Sequence, residues 1–369
     1  MPEPLVVVFR TDAALHIGNG HLMRCLTLAD ALRDSGNNCH FVCRQQPGQL
    51  LDHVTQRGHQ VHVLETTRQD ACDDGAPVLA HAHWLGCSQH TDALQTMQIV
   101  GFLQPSLVVV DHYALDVRWE RQLRSLTRHL MVIDDLADRV HDCDLLLDQN
   151  PGRQSADYAG LVPSHCRILL GPGYALLRPE FAALRKQSLA RREHPALRQL
   201  LITMGGVDQD NATCRILEAL QLCTLPPECR IVVVMGAHAP WLEQVRAAAA
   251  KLRWQVEIKV DVTDMAVLML NSDLALGAAG STSWERCCLG LPGLLLVLAA
   301  NQRAVAGYLA AEQAAVVLEL DANLDQQLQT TLPLVAAPEQ LRLLSQRVAS
   351  ITDGTGCQRV LQQLELQME

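Results

Sequence analysis

The sequence has no excess of positive charge, no apolar run long enough to cross a membrane and no C-x-x-C pair of the kind that zinc sites use. Each absence removes a class of function. Lys and Arg number 30 against 40 Asp and Glu, a formal net charge of -10, whereas a nucleic-acid carrier holds phosphates with clustered cations. Nucleic acid is therefore not an expected partner, and any bound phosphate must be met locally. A membrane span needs about 18 or more consecutive apolar residues. The run from Leu289 to Ala300 is shorter and is interrupted by Pro292 and Gly293, so no membrane insertion is expected. The chain passes from Met1-Pro2-Glu3-Pro4 straight into Leu5-Val6-Val7-Val8-Phe9 without a basic leader. This reads as a buried first strand, and the expected compartment is the cytoplasm. Aromatic residues are scarce at 4%, with 49% hydrophobic and 19% charged residues, a composition of folded α/β proteins and not of disordered chains. The 13 cysteines are scattered and read as small core residues kept reduced.

What is present is an alternation of apolar strands and helix-like segments. Strands are expected at Leu5 to Phe9, Cys39 to Cys43, Val61 to Leu64, Leu107 to Val110, Leu130 to Ile133 and Leu145 to Leu147. A second series is expected at Gln199 to Met204, Arg230 to Met235, Val256 to Lys259, Leu274 to Leu276 and Gly293 to Val297. Such runs, continuous in apolar residues, belong to parallel sheets covered on both faces. The expected architecture is two doubly wound, Rossmann-type α/β domains, residues 1–190 and 191–369, with ligand captured at the strand carboxyl ends facing a shared cleft. A charged helical stretch, Phe181 to Glu193, marks the boundary, and one helix of the final segment, Pro338 to Gln367, is expected to return to the first domain. Residues 66–92 are the least regular part, with a loop at Asp70 to Gly75.

Four constellations carry chemistry. After the first strand, Arg10-Thr11-Asp12 is followed by Gly18-Asn19-Gly20-His21-Leu22-Met23-Arg24-Cys25. Glycines between a strand and a helix let backbone approach a ligand, and the helix start offers free N–H groups to an anion. A dinucleotide fingerprint would need a third glycine where Met23 stands and an acidic residue where Arg44 stands, so a plain NAD site is not expected. On position alone His21 is equally a helix cap. With Asp12, Arg10 and Arg24 crowding the same turn, it becomes a candidate general base. The second constellation, Gly277-Ala278-Ala279-Gly280-Ser281-Thr282-Ser283-Trp284-Glu285, opens another helix. Amides of Ser281 to Ser283 could cradle a pyrophosphate, and Glu285 could accept hydrogen bonds from a ribose diol; taken alone, Glu285 is equally a capping-box glutamate facing water. The third is the turn Met204-Gly205-Gly206-Val207-Asp208, and the fourth joins the strand ends Asp111-His112-Tyr113 and Asp134-Asp135. The paired carboxylates raise the question of a metal, but no further ligand spacing accompanies them, and none is expected.

In sequence order these pieces resemble the UDP-2,4-diacetamido-2,4,6-trideoxy-β-L-altropyranose hydrolases of pseudaminic acid biosynthesis, relatives of MurG-like glycosyltransferases of the GT-B fold. The resemblance rests on the His21 turn, Trp84-Leu85-Gly86, Val110 to Tyr113 with Asp116, Val132 to Arg139, Leu147 to Asn150, Gly171 to Phe181, Met204 to Gly206 and Gly277 to Pro292. It implies that His21 is the base, that Glu285 holds the uridine ribose, and that Tyr113 and Asn301 line the sugar. Asp12 and Gly20 are then expected on the substrate side, with Gly205, Gly206, Ser281 and Thr282 around UDP. It further implies hydrolysis to UDP and free sugar with anomeric inversion, without cofactor or metal, upstream of a nonulosonic acid used in flagellin glycosylation or a surface polysaccharide. A glycosyltransferase with an acceptor in place of water, and a non-catalytic UDP-sugar binding protein, are the alternatives.

Overall fold

The structure, a computed structural model, describes residues 4–65, 78–237 and 239–368. The loop expected at Asp70 to Gly75 lies outside the described residues. The chain forms two compact units, residues 1–176 with 356–369, and residues 177–355. The division thus falls at Leu176/Leu177, not at residue 190, and the chain crosses back at Thr355/Gly356. The helix Phe181 to Glu193 read as a boundary marker belongs wholly to the second unit, because Ser188 and Arg192 donate to the Leu289 carbonyl there, at 2.6 and 3.0 Å.

The first unit holds seven parallel strands: β1 (Val6–Thr11), β2 (Asn38–Arg44), β3 (Gln60–Leu64), β4 (Leu107–Asp111), β5 (His129–Ile133), β6 (Leu145–Asp148) and β7 (Arg167–Leu170), in the order β3-β2-β1-β4-β5-β6-β7. The second holds six: β8 (Gln199–Thr203), β9 (Arg230–Met235), β10 (Gln255–Val260), β11 (Leu274–Ala278), β12 (Gly293–Leu296) and β13 (Ala315–Leu318), in the order β10-β9-β8-β11-β12-β13. In each sheet the order reverses beside the first strand, β1 against β4 and β8 against β11. Crevices at such reversals are where open α/β sheets bind ligands. The expected strands all form; β7 and β13 are additional. Both sheets are buried on two faces, with Val7, Val8, Phe9, Val108 and Val109 in one and Leu200, Leu201, Leu274 and Leu276 in the other all fully buried.

The last helix, Gly356–Met368, completes the first unit: Cys357, Val360 and Leu364 enter the core that covers one face of its sheet. Gly356 leaves no room for a side chain, since a Cβ there would stand 2.4 Å from the Ala175 carbonyl. Each fully buried aliphatic side chain is worth about 1.5–3 kcal/mol, and a whole domain is stable by only about 5–15 kcal/mol. A chain ending at Thr355 should therefore lose the cooperative melting of the first unit and keep that of the second. Retention of both transitions in calorimetry would contradict this packing account. Ten of the twelve cysteines among the described residues are buried and all twelve are free. Among the described residues no helix is long and apolar enough to cross a membrane.

Candidate functional site

The first unit's chemistry gathers at the β1–β4 reversal. The turn after β1 closes through an Ala14–Gly18 bridge, with the Gly18 amide donating to the Ala14 carbonyl at 2.8 Å. Gly18 takes φ +82, a conformation costly for any residue with a Cβ. Helix α1 (Gly20–Asp34) then starts, so Gly20 is its first residue and His21 its second. His21 is buried, 8% exposed. Its Nδ1 lies 2.6 Å from Oδ1 of Asp111, the last residue of β4. A carboxylate only accepts, so Nδ1 carries a proton, and in the neutral ring Nε2 holds the lone pair. Among the described residues no hydrogen-bond partner meets Nε2.

Asp111 is held in turn. Arg24, one turn along α1, donates to it twice, Nε to Oδ2 at 2.6 Å and Nη2 to Oδ1 at 2.7 Å. Arg24 Nη1 donates to Asp135 Oδ2 at 2.6 Å, and the Tyr113 hydroxyl donates to the same oxygen at 2.7 Å. Burial pushes the Asp111 carboxyl up, but Arg24 and His21 outweigh it and hold it well below the usual carboxylate range. A buried ion pair with its lone pairs filled is a rigid support, and removing one partner strands the other.

Asp12 is not placed to meet a ligand. It is 1% exposed, and its oxygens accept from Arg10 Nη1 at 2.7 Å, Arg10 Nη2 at 3.0 Å and the Arg44 amide at 2.7 Å. Arg10 also donates twice to buried Asp92, which takes Arg44 Nη2 and the Trp119 indole N–H as well. His112 accepts the Ala114 amide on Nδ1, and its Nε2 lies 3.1 Å from Asp12 Oδ2 without a hydrogen bond of good geometry. Asp12 therefore fixes the ends of β1, β2 and β4 under the site. The paired carboxylates Asp134 and Asp135 face separate cations, Arg139 at 2.8 Å and Arg24 at 2.6 Å.

Tyr113 is packed edge-on to His21, ring centroids 4.5 Å apart, yet it is only 3% exposed, with Trp84 stacked on it at 5.4 Å and His81 at 5.3 Å. Deeper still, the Tyr158 hydroxyl lies 2.9 Å from Asp148 and 3.1 Å from Asp134. One phenol proton cannot satisfy two carboxylates at once, and burial together with Asp135 raises Asp148 to about 7. In the unfolded chain an aspartate titrates near about 4, so the folded state binds this proton more tightly. The stabilisation it brings is present at acid pH and fades as pH rises through that window to about 7. The melting temperature of Asp148→Asn relative to the wild type should therefore climb from pH 5 to pH 8; a difference that does not change with pH would contradict it.

In the second unit the β8 end turns through Gly205, φ +91, into Asp208, whose carboxylate accepts the Ala212 and Thr213 amides at 2.9 Å each and starts the helix Ala212–Leu220. Gly206 is approached so closely by the end of β9 that a Cβ on Gly236 would stand 2.1 Å from its carbonyl. Beside this turn in sheet order, β11 leads into Gly280 and the helix Thr282–Cys288. The Ser283 amide is spent on the Gly280 carbonyl at 2.9 Å, so of the three expected amides this one is not available to a phosphate. Ser283 is buried and its hydroxyl accepts from Arg286 Nη2 at 2.9 Å. Ser281 is exposed and Thr282 half-buried. Arg286 is itself buried, donating to the Ala278 carbonyl at 2.8 Å, and burial lowers its pKa to about 10. Glu285 is partly buried, with Arg178 Nη2 3.4 Å from its Oε1. Burial raises the Glu285 pKa against the pull of Arg178. Asn301 is exposed in the turn Ala300–Gln302 after β12, and its neighbour Gln302 approaches Gly280, the amide nitrogen 3.8 Å from where a Cβ would be.

Sequence reasoning placed Arg24 beside His21, named Asp111 and Trp84 without giving them roles, and missed the Arg178–Glu285 pair. The signal for Asp111 was its place at the end of the strand that neighbours β1.

The fold is shared with known enzymes. The crystal structure of MurG from Acinetobacter baumannii superposes with a TM-score of 0.70 over 98% of this chain and 99% of that one, at 15% identity. The chain has the GT-B fold. No protein-family model matches it. By sequence this GT-B chain is similar to the UDP-2,4-diacetamido-2,4,6-trideoxy-β-L-altropyranose hydrolase of Campylobacter jejuni, 26% identical over 305 residues, 82% of this chain and 96% of that protein. It is also similar to an uncharacterized protein of Methanocaldococcus jannaschii, 23% identical over 305 residues; that match covers 78% of this chain and about half, 54%, of the archaeal protein.

Proposed function

We propose that the chain hydrolyses a UDP-activated deoxy-diacetamido sugar, UDP-2,4-diacetamido-2,4,6-trideoxy-β-L-altropyranose or a near relative, to UDP and the free sugar. The observation that carries the reading is the 2.6 Å contact between His21 Nδ1 and Asp111, which leaves Nε2 as a base. Nε2 takes a proton from water as the water oxygen forms a bond to the anomeric carbon. The bond from that carbon to the β-phosphate oxygen breaks on the opposite side, its electron pair leaves with UDP, and the configuration inverts. Asp111 steadies the imidazolium as it forms. Residue types in the second unit suit the nucleotide: Glu285 for the ribose diol, Gly205, Gly206, Ser281 and Thr282 for the pyrophosphate, whose growing charge hydroxyls and amides stabilise without a metal. The expected compartment remains the cytoplasm, and a nonulosonic acid the fate of the product.

The likeness to the Campylobacter hydrolase, over 96% of its length, supports water as the acceptor. The MurG fold favours the second reading, transfer of the sugar to a hydroxyl acceptor, since fold does not fix the acceptor.

The nucleotide half is tested by calorimetric titration with UDP. Glu285→Ala removes one or two charge-assisted hydrogen bonds and should weaken binding roughly 10- to 100-fold. Unchanged affinity would remove Glu285 from the site.

A further inference from the structure

Trp84 is the aromatic beside His21 that the mechanism does not use. It ends a single helical turn, Ala82–Trp84, held by Gln46 Nε2 donating to its carbonyl at 2.8 Å and by buried Leu85. Its ring stacks on Tyr113 at 24° and meets the His21 ring edge-on, centroids 5.9 Å apart. His81 lies against it at 4.5 Å. Tyr113 is buried and its hydroxyl is committed to Asp135, whereas Trp84 and His81 are half-buried. The aromatic surface open to a ligand next to the base is therefore that of Trp84 and His81. The indole N–H differs too. Trp119, Trp241 and Trp254 donate theirs to Asp92, the Gln209 carbonyl and the Pro226 carbonyl, whereas among the described residues no acceptor meets that of half-buried Trp84, nor that of Trp284, which is buried in the second unit.

An apolar ring with one uncommitted donor, adjoining a base, has a defined complement. We infer that Trp84, flanked by His81, is the specificity wall of the sugar site: it takes the methyl and C–H face of a 6-deoxy, N-acylated hexose, with the indole N–H available to an acetamido carbonyl. The inference rests on the hydrolase reading above and names which groups of its substrate are read. Aromatic faces carry partial negative charge and attract polarised C–H bonds. A hydrophobic pocket separates substrates differing by one small group roughly 10- to 200-fold.

Two measurements test it. In steady-state hydrolysis, Trp84→Ala should raise KM for the 6-deoxy diacetamido substrate about 10- to 100-fold, with kcat and its pH profile changed far less, and Trp84→Phe should restore most of the loss. Wild-type KM in Trp84→Ala would overturn the wall. Independently of turnover, protein labelled with ¹⁵N-tryptophan is titrated with the free 2,4-diacetamido-2,4,6-trideoxy sugar and, separately, with N-acetylglucosamine. The indole signal absent from Trp84→Phe should shift with the first at lower concentration than with the second. If the wild type cleaves no sugar nucleotide yet this signal shifts, the hydrolase reading fails and the wall stands. If cleavage proceeds and the signal does not move, the wall fails alone.

Discussion

Exchange of His21 for asparagine should lower turnover of the sugar nucleotide by roughly 10²- to 10⁴-fold, the usual contribution of a positioned general base. The variant keeps a short polar side chain at the second position of α1, and Asp111 keeps its two hydrogen bonds from Arg24. Folding should survive, since the charge on Asp111 remains paired. UDP affinity should be unchanged, because the residues proposed for UDP, Gly205, Gly206, Ser281, Thr282 and Glu285, belong to the other unit. The loss should appear in kcat, together with disappearance of the acid limb of the pH profile. Near-normal turnover of a folded variant would remove His21 from the reaction.

Asp111→Asn should cost nearly as much for a different reason. The amide can donate to Nδ1, which moves the imidazole proton to Nε2 and removes the lone pair that takes the proton from water. Where the orienting carboxylate of a serine-protease triad becomes an amide, the wrong tautomer costs about 10⁴-fold, and a similar loss is expected here. Structure pays as well: Arg24 loses its bidentate partner and keeps only Asp135, and breaking a buried pair commonly costs about 3–5 kcal/mol. The two effects separate in the pH profile. A structural defect alone lowers the active fraction with the profile unchanged, whereas loss of the tautomer alters the acid limb of the remaining activity. A stable Asp111→Asn with wild-type kcat would refute the role given to this contact.

Most of the fold was legible because buried parallel strands are written as unbroken apolar runs, from Val6 to Phe9 and from Leu274 to Leu276. The strands β7 and β13 escaped notice because each has four residues at the edge of its sheet, too few for periodicity to separate from a loop. The unit boundary was misplaced because composition marks a charged helix but not which sheet it packs on; the contacts of Ser188 and Arg192 decide that. Of the candidate site residues, His21 stood out from its glycine turn and Glu285 from its helix start. Asp12 was expected on the substrate side, in the turn it shares with His21. Only the structure shows its oxygens filled by Arg10 and Arg44. The pairing of His21 with Asp111 spans 90 residues and becomes visible once β4 is known to lie beside β1.

The central claim is that the chain cuts a UDP-sugar with water. It is tested by incubating the purified protein with UDP-2,4-diacetamido-2,4,6-trideoxy-β-L-altropyranose and EDTA, without acceptor, and following UDP and the sugar anomer by NMR over time. The account predicts UDP and free sugar released in equal amounts, with the first-formed anomer inverted. Intact sugar nucleotide in the presence of protein that binds UDP would contradict it and leave transfer to an acceptor, or binding alone, as the function.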